Sequence, residues 1–87
     1  MYQDQRAQDE DHLAVAVHEE FSAVLSVPMQ EIGRETDFYD LGGDSLQKLE
    51  LIARLEERFA VKLADGEIAD LGTVTDHARL LAAKLGP

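Results

Sequence analysis

Gly42-Gly43-Asp44-Ser45-Leu46-Gln47-Lys48-Leu49-Glu50-Leu51-Ile52-Ala53-Arg54-Leu55-Glu56-Glu57-Arg58-Phe59 is the stretch that decides the fold. Its apolar residues recur at helical intervals. Leu46, Leu49, Ile52, Ala53 and Phe59 share one face, with Leu55 beside it and Leu51 off the stripe. Asp44 is a good N-cap, and Gln47 three residues later completes a D-x-x-Q capping pattern. The spacing predicts a helix over 45–59, with its second face covered by the segment that precedes it.

That preceding segment, residues 27–44 (VPMQEIGRETDFYDLGGD), has no helical period and contains one Pro and three Gly. Val27, Ile32, Phe38 and Leu41 are widely spaced, as expected of a long loop pinned to a core. Ordered loops of this length in a small domain are uncommon and often functional. Upstream, Asp9, Glu10 and Asp11 suit a helix N-terminus, where the dipole favours negative charge. Leu13, Val17, Phe21, Val24 and Leu25 then form one apolar stripe on a helix ending near Ser26, before Pro28. Downstream, Asp65–Leu71 predicts a short helical turn with Ile68 and Leu71 inward. Thr73-x-x-Asp76 caps a last helix carrying Val74, His77, Ala78, Leu81 and Leu85. The expected architecture is all-α: a four-helix bundle of three longer helices and one short third helix, with a long loop between helices 1 and 2. Residues 1–8 are expected to be a flexible N-terminus and 9–85 a single domain.

Composition narrows the function. At 87 residues the chain is one domain, with little buried volume for an enclosed substrate pocket. Eighteen acids against eight bases give a formal charge of −10, which repels nucleic-acid phosphates and anionic lipid. The complementary partner is a protein with a basic patch, although acidity also serves solubility alone. There is no cysteine, so no disulfide framework, Cys-based zinc site or Cys nucleophile, and any thioester chemistry needs a borrowed thiol. That absence fits a reducing cytoplasm. No apolar run reaches the roughly 18–20 residues of a membrane span. Met1–His12 is polar and acidic, unlike a signal peptide.

The chemistry centres on Leu41-Gly42-Gly43-Asp44-Ser45-Leu46. The glycines allow conformations and close approaches that side chains block. Ser45 falls in the first helical turn, where a phosphate ester would lie near the positive end of the helix dipole. By pattern alone the same residues also read as a turn followed by a cap. His12, His18 and His77 do not combine into a metal site, and a serine hydrolase lacks its G-x-S-x-G elbow and leading strand. An acidic helical interaction module without a prosthetic group is the alternative from another class.

Asp37-Phe38-Tyr39-Asp40-Leu41-Gly42-Gly43-Asp44-Ser45-Leu46 resembles the attachment signature of acyl and peptidyl carrier proteins. Leu49-Glu50-Leu51-Ile52-x-x-Leu55-Glu56-Glu57-x-Phe59 is similar to that family's second helix, and Leu63, Ile68, Leu71 and Thr73-Val74 fit its later elements. The resemblance spans residues 13–85. It implies a non-catalytic carrier whose Ser45 receives 4′-phosphopantetheine from coenzyme A through a phosphopantetheinyl transferase. The arm would supply the missing thiol and hold acyl, aminoacyl or peptidyl cargo as a thioester. Further implied partners are a loading enzyme of adenylation or acyltransferase type and downstream synthase or tailoring enzymes. By position, the resemblance makes Asp44, Leu46, Glu50, Glu57 and Ile68 docking contacts.

One departure concerns charge. Fatty-acid carriers usually have a strongly acidic second helix, whereas Lys48, Arg54 and Arg58 here offset Glu50, Glu56 and Glu57. With Gly42-Gly43 and Phe38-Tyr39, this leans towards a stand-alone, monomeric, cytoplasmic carrier of a specialised pathway of nonribosomal-peptide or polyketide type, such as antibiotic biosynthesis. The other reading is the housekeeping fatty-acid carrier.

Overall fold

The computed structural model describes residues 10–86; the expected flexible N-terminus at 1–8 lies outside them. The helices are α1 (Glu10–Leu25), α2 (Ser45–Phe59), α3 (Asp65–Ile68) and α4 (Val74–Leu85), with no strand among the described residues. This is the all-α, four-helix architecture that the periodicity predicts.

The α1 stripe is as read. Leu13, Val17, Phe21 and Val24 are buried, and Val74, His77, Ala78 and Leu81 of α4 meet them in the same core. Removing such side chains from water is the main stabilising term in a bundle this small. Both long connections are fastened by polar groups. His18 Nε2–H donates to the carbonyls of Met29 (2.9 Å) and Ile32 (2.8 Å), holding the start of the long loop against α1. That start contains a 3-10 turn, Met29–Glu31, which hydrophobic spacing does not reveal because none of its residues is buried. At α4, Thr73 Oγ1 accepts from the Asp76 N–H while Asp76 accepts from the N–H groups of Gly72 and Thr73. The Gly72 N–H chiefly holds the Asp76 carboxyl below its ordinary range, against the opposing effect of burial.

The face of α2 is a correction. The buried residues are Lys48, Leu51, Ile52 and Leu55. Leu46 and Leu49 are 75% and 60% exposed, and Ala53 is exposed. The apolar stripe expected to face the core therefore lies partly in solvent, and Leu51, the residue off that stripe, is at the centre of the core. Lys48, occupying a core position, is what breaks the true stripe in the sequence.

An ionic clamp joins α2 to α1. The largely buried Glu20 takes Arg54 Nε at 2.6 Å and Arg58 Nη1 at 2.8 Å, and Arg58 Nη2 reaches Glu19 at 2.9 Å. Burial pushes the Glu20 carboxyl up, but the hydrogen bonds and charge of the two guanidinium groups outweigh it and leave its pKa lowered.

His77 makes the fold sensitive to acid. It is 1% exposed and packs edge-on against Phe21, with ring centroids 5.5 Å apart. Its Nδ1–H donates to the Thr73 carbonyl at 2.7 Å, so in the neutral ring Nε2 carries a bare lone pair, and this atom is buried without a partner among the described residues. Burial pushes its pKa down to about 4; the Thr73 carbonyl opposes this and the Lys48 charge adds to it. Because the folded value is depressed, this stabilisation is complete above the unfolded value of 6.5 and is lost as pH falls towards 4. The whole loss is about 3 kcal/mol. Urea unfolding midpoints should therefore drop between pH 6.5 and 4.5, and His77→Phe should flatten that leg of the profile. The lowered carboxylates of Glu20 and Asp76 add their losses only at lower pH.

Candidate functional site

The junction of the long loop and α2 is built around Phe38. Its ring is fully buried, edge-on to Phe21 at a centroid distance of 5.3 Å, and its N–H donates to the Gly72 carbonyl at 2.7 Å. The loop then folds back over this ring. The N–H groups of Leu41 and Gly43 both donate to the Phe38 carbonyl, at 3.2 and 3.1 Å. A Cβ on Gly43 would run into the Phe38 ring, and Gly42 has a φ of +99°, which L side chains rarely adopt. The two glycines thus let the chain turn tightly over the aromatic ring and enter α2 at Asp44.

Asp44 closes the first turn as the spacing predicts. Its Oδ1 accepts from the Gln47 N–H at 2.8 Å, and Gln47 Oε1 accepts from the Asp44 N–H at 3.1 Å. Ser45 is the first helical residue and is exposed. Its own N–H and that of Leu46 have no acceptor within the helix, as is general for first-turn amides. The reciprocal cap leaves the Ser45 hydroxyl out of the bonds that hold the turn. This donor set suits an anionic ester: an accessible hydroxyl, two first-turn amides and the positive end of a helix dipole.

The structure gathers four of the five expected docking residues at α2. Leu46, Glu50 and Glu57 are exposed at helical spacing and share one outward stripe with Leu49 and Ala53. Asp44 stands at its head. Ile68 belongs to α3 and is only half-exposed, packing against the core. Sequence reasoning missed Leu49 and Tyr39 as surface groups, although both are large, apolar and exposed beside this junction. It also read the charge of α2 as balanced, which the structure redistributes. Lys48 is buried, and Arg54 and Arg58 are occupied by α1 carboxylates. The stripe of Leu46, Leu49, Glu50, Ala53 and Glu57 holds no base, although the paired arginines stay exposed beside it.

Ser45 is thus an exposed hydroxyl at a helix start, beside two free first-turn amides. The chain matches the family described as phosphopantetheine attachment site over residues 15–81, and it belongs to that family. It is 38% identical over 64 residues to the polyketide-8 synthase acyl carrier protein 2 of Streptomyces avermitilis, covering 72% of this chain and 74% of that one. It is likewise 38% identical over 66 residues to an acyl carrier protein of Prochlorococcus marinus, covering 75% and 82%. A chloroplastic acyl carrier protein of Brassica napus is 38% identical over 52 residues, 60% of this chain and 39% of that protein. The chain is accordingly a non-catalytic carrier with covalently attached 4′-phosphopantetheine, placed by a phosphopantetheinyl transferase, on which acyl intermediates are held.

Asp44 combines a cap with a charge, and two substitutions separate them. Asp44→Ala should lower folding stability by about 1 kcal/mol through loss of the cap. Asp44→Asn keeps the cap and should leave the thermal midpoint near wild type. A rate of arm attachment reduced in both variants would show the charge at work; reduced in Ala alone, the cap.

Proposed function

We propose that Ser45 carries the 4′-phosphopantetheine arm, within a carrier domain spanning 9–85, and that the carrier serves a specialised-metabolite pathway in the cytoplasm. The observation that carries this reading is the exposed Ser45 hydroxyl at the first position of α2, inside Gly-Gly-Asp-Ser, in a chain of this family. When attached, the arm supplies the terminal thiol that this cysteine-free chain lacks, and cargo is held there as a thioester. The protein's own contribution is presentation. The cap fixes the helix start, the glycines keep the approach open, and the tether turns diffusional meetings with partner enzymes into local ones.

The outward stripe of α2 is the proposed docking face. Leu46 and Leu49 offer apolar area beside the serine, and Glu50 and Glu57 give the stripe its negative sign. The fitting partner surface is apolar with basic residues around it. On this reading the transferase, the loading enzyme and the later synthase or tailoring enzymes visit the same face in turn. The chain itself works as a monomer.

Support for a specialised pathway comes from the three bases of α2, the Gly42-Gly43 pair and a polyketide carrier among the relatives. A housekeeping fatty-acid role is the second reading. It is favoured by the acidic outward stripe and by the acyl carrier relatives. The mass of the cargo on protein isolated from its host separates the two: an aminoacyl, peptidyl or unusual acyl group supports the first, a plain fatty acyl group the second.

Incubation with coenzyme A, Mg²⁺ and a broad-specificity phosphopantetheinyl transferase should raise the intact mass by one arm, and Ser45→Ala should abolish the gain. An arm that still appears on Ser45→Ala would move the site elsewhere. For docking, Glu50→Lys with Glu57→Lys should slow transfer to partner enzymes several-fold while leaving far-UV circular dichroism unchanged. The effect should shrink at high salt, since exposed pairs contribute about 0.2–1 kcal/mol each.

A further inference from the structure

Lys48 lies one helical turn after Ser45 and is 7% exposed, an unusual place for an ammonium group. Three separate segments supply its surroundings. Nζ donates to the Leu71 carbonyl, in the link between α3 and α4, at 2.5 Å. It also stands 5.8 Å from the Phe38 ring centroid and 5.5 Å from that of Tyr39, both in the long loop. Burial lowers its pKa, while the charges of Asp37 in the loop and Asp76 in α4 draw it back up. No carboxylate among the described residues pairs with it directly. The ammonium is therefore kept there at a cost in desolvation.

What it gains is connection. α2 is clamped to α1 through Arg54 and Arg58, about two and a half and three and a half turns after its start, which leaves the start itself to other contacts. Near the start, Leu46 and Leu49 point into solvent and bind nothing inward. Lys48 is there the buried group that reaches both the loop on one side and the α3–α4 link on the other. The Phe38 N–H bond to the Gly72 carbonyl then closes the ring of contacts between these two segments.

We infer that Lys48 is a positioning residue: its buried ammonium holds the Asp37–Tyr39 stretch and Leu71 against the first turns of α2, and so sets the surfaces flanking Ser45 that visiting enzymes read. The inference rests on the Ser45 reading for its functional part, whereas the structural part stands alone. It assigns a part in recognition to a residue that is itself buried.

The test uses Lys48→Met, which keeps the length and apolar stem without the donor or charge, and Lys48→Arg, which restores both and can stack on the two rings. In unmodified protein, Lys48→Met should shift the amide resonances of Phe38, Tyr39, Leu71 and Gly72 with helicity intact. Its thermal midpoint should hold or rise, as buried charges replaced by apolar groups often allow. In arm attachment by the transferase, its KM should rise roughly tenfold, as for one lost charge-assisted hydrogen bond, with kcat held. Lys48→Arg should recover most of that loss. Amide shifts confined to the neighbours of residue 48 on α2, or an unchanged KM in folded Lys48→Met, would overturn the inference. So would KM and kcat changes that merely follow a loss of folded protein. If wild-type protein accepts no arm, the Ser45 reading fails, and the amide shifts alone decide the role of Lys48.

Discussion

The burial of Phe38 sets the path of the chain between the first two helices, because nothing else in that connection is both large and fully enclosed. The segment from Ser26 to Asp44 has no regular backbone ladder apart from one 3-10 turn, so side chains must anchor it. Ile32 and Phe38 do so from within the core, and the His18 imidazole does so from α1. Phe38 matters most because its backbone is used as well as its ring. Its carbonyl receives the two amides that turn the loop back, and its N–H is given to the α3–α4 link. The aromatic contact with Phe21 anchors this turn in the core, and the chain enters α2 from it.

On α2 the usual distribution of residue types is partly inverted. A lysine is inside and two leucines are outside. Neither choice favours stability: the ammonium loses hydration, and the leucines expose apolar area beside acidic groups. Both would suit the docking face proposed above. The clamp between Glu20 and the two arginines pairs those positive charges with α1, while the guanidinium groups stay exposed beside the stripe. Along the stripe itself the charged groups are acidic, although the helix sums to zero.

Much of this was legible beforehand. The helix starts were written in Asp44 with Gln47 and in Thr73 with Asp76, because a cap is a local arrangement of near neighbours. The α1 stripe was equally plain, since an unbroken run of apolar residues at steps of four and three admits one buried face. The orientation of α2 was not legible. Two overlapping stripes were available, and the one without a lysine looked better; the other won because the neighbouring carbonyl, rings and carboxylates that accept Lys48 come from residues 23 or more positions away in the case of Leu71 and Asp76. The 3-10 turn was hidden for the opposite reason, since it buries nothing. The serine's place at a helix start was clear from the spacing, and its openness to solvent came with the fold.

The division of labour within the first turn of α2 has a further consequence. The residues that hold the turn together, Asp44 and Gln47, satisfy one another and leave the hydroxyl between them uncommitted. A change at that hydroxyl would break neither of the bonds that form the cap. The frame of the first turn is thus independent of the chemical state of the hydroxyl that it presents.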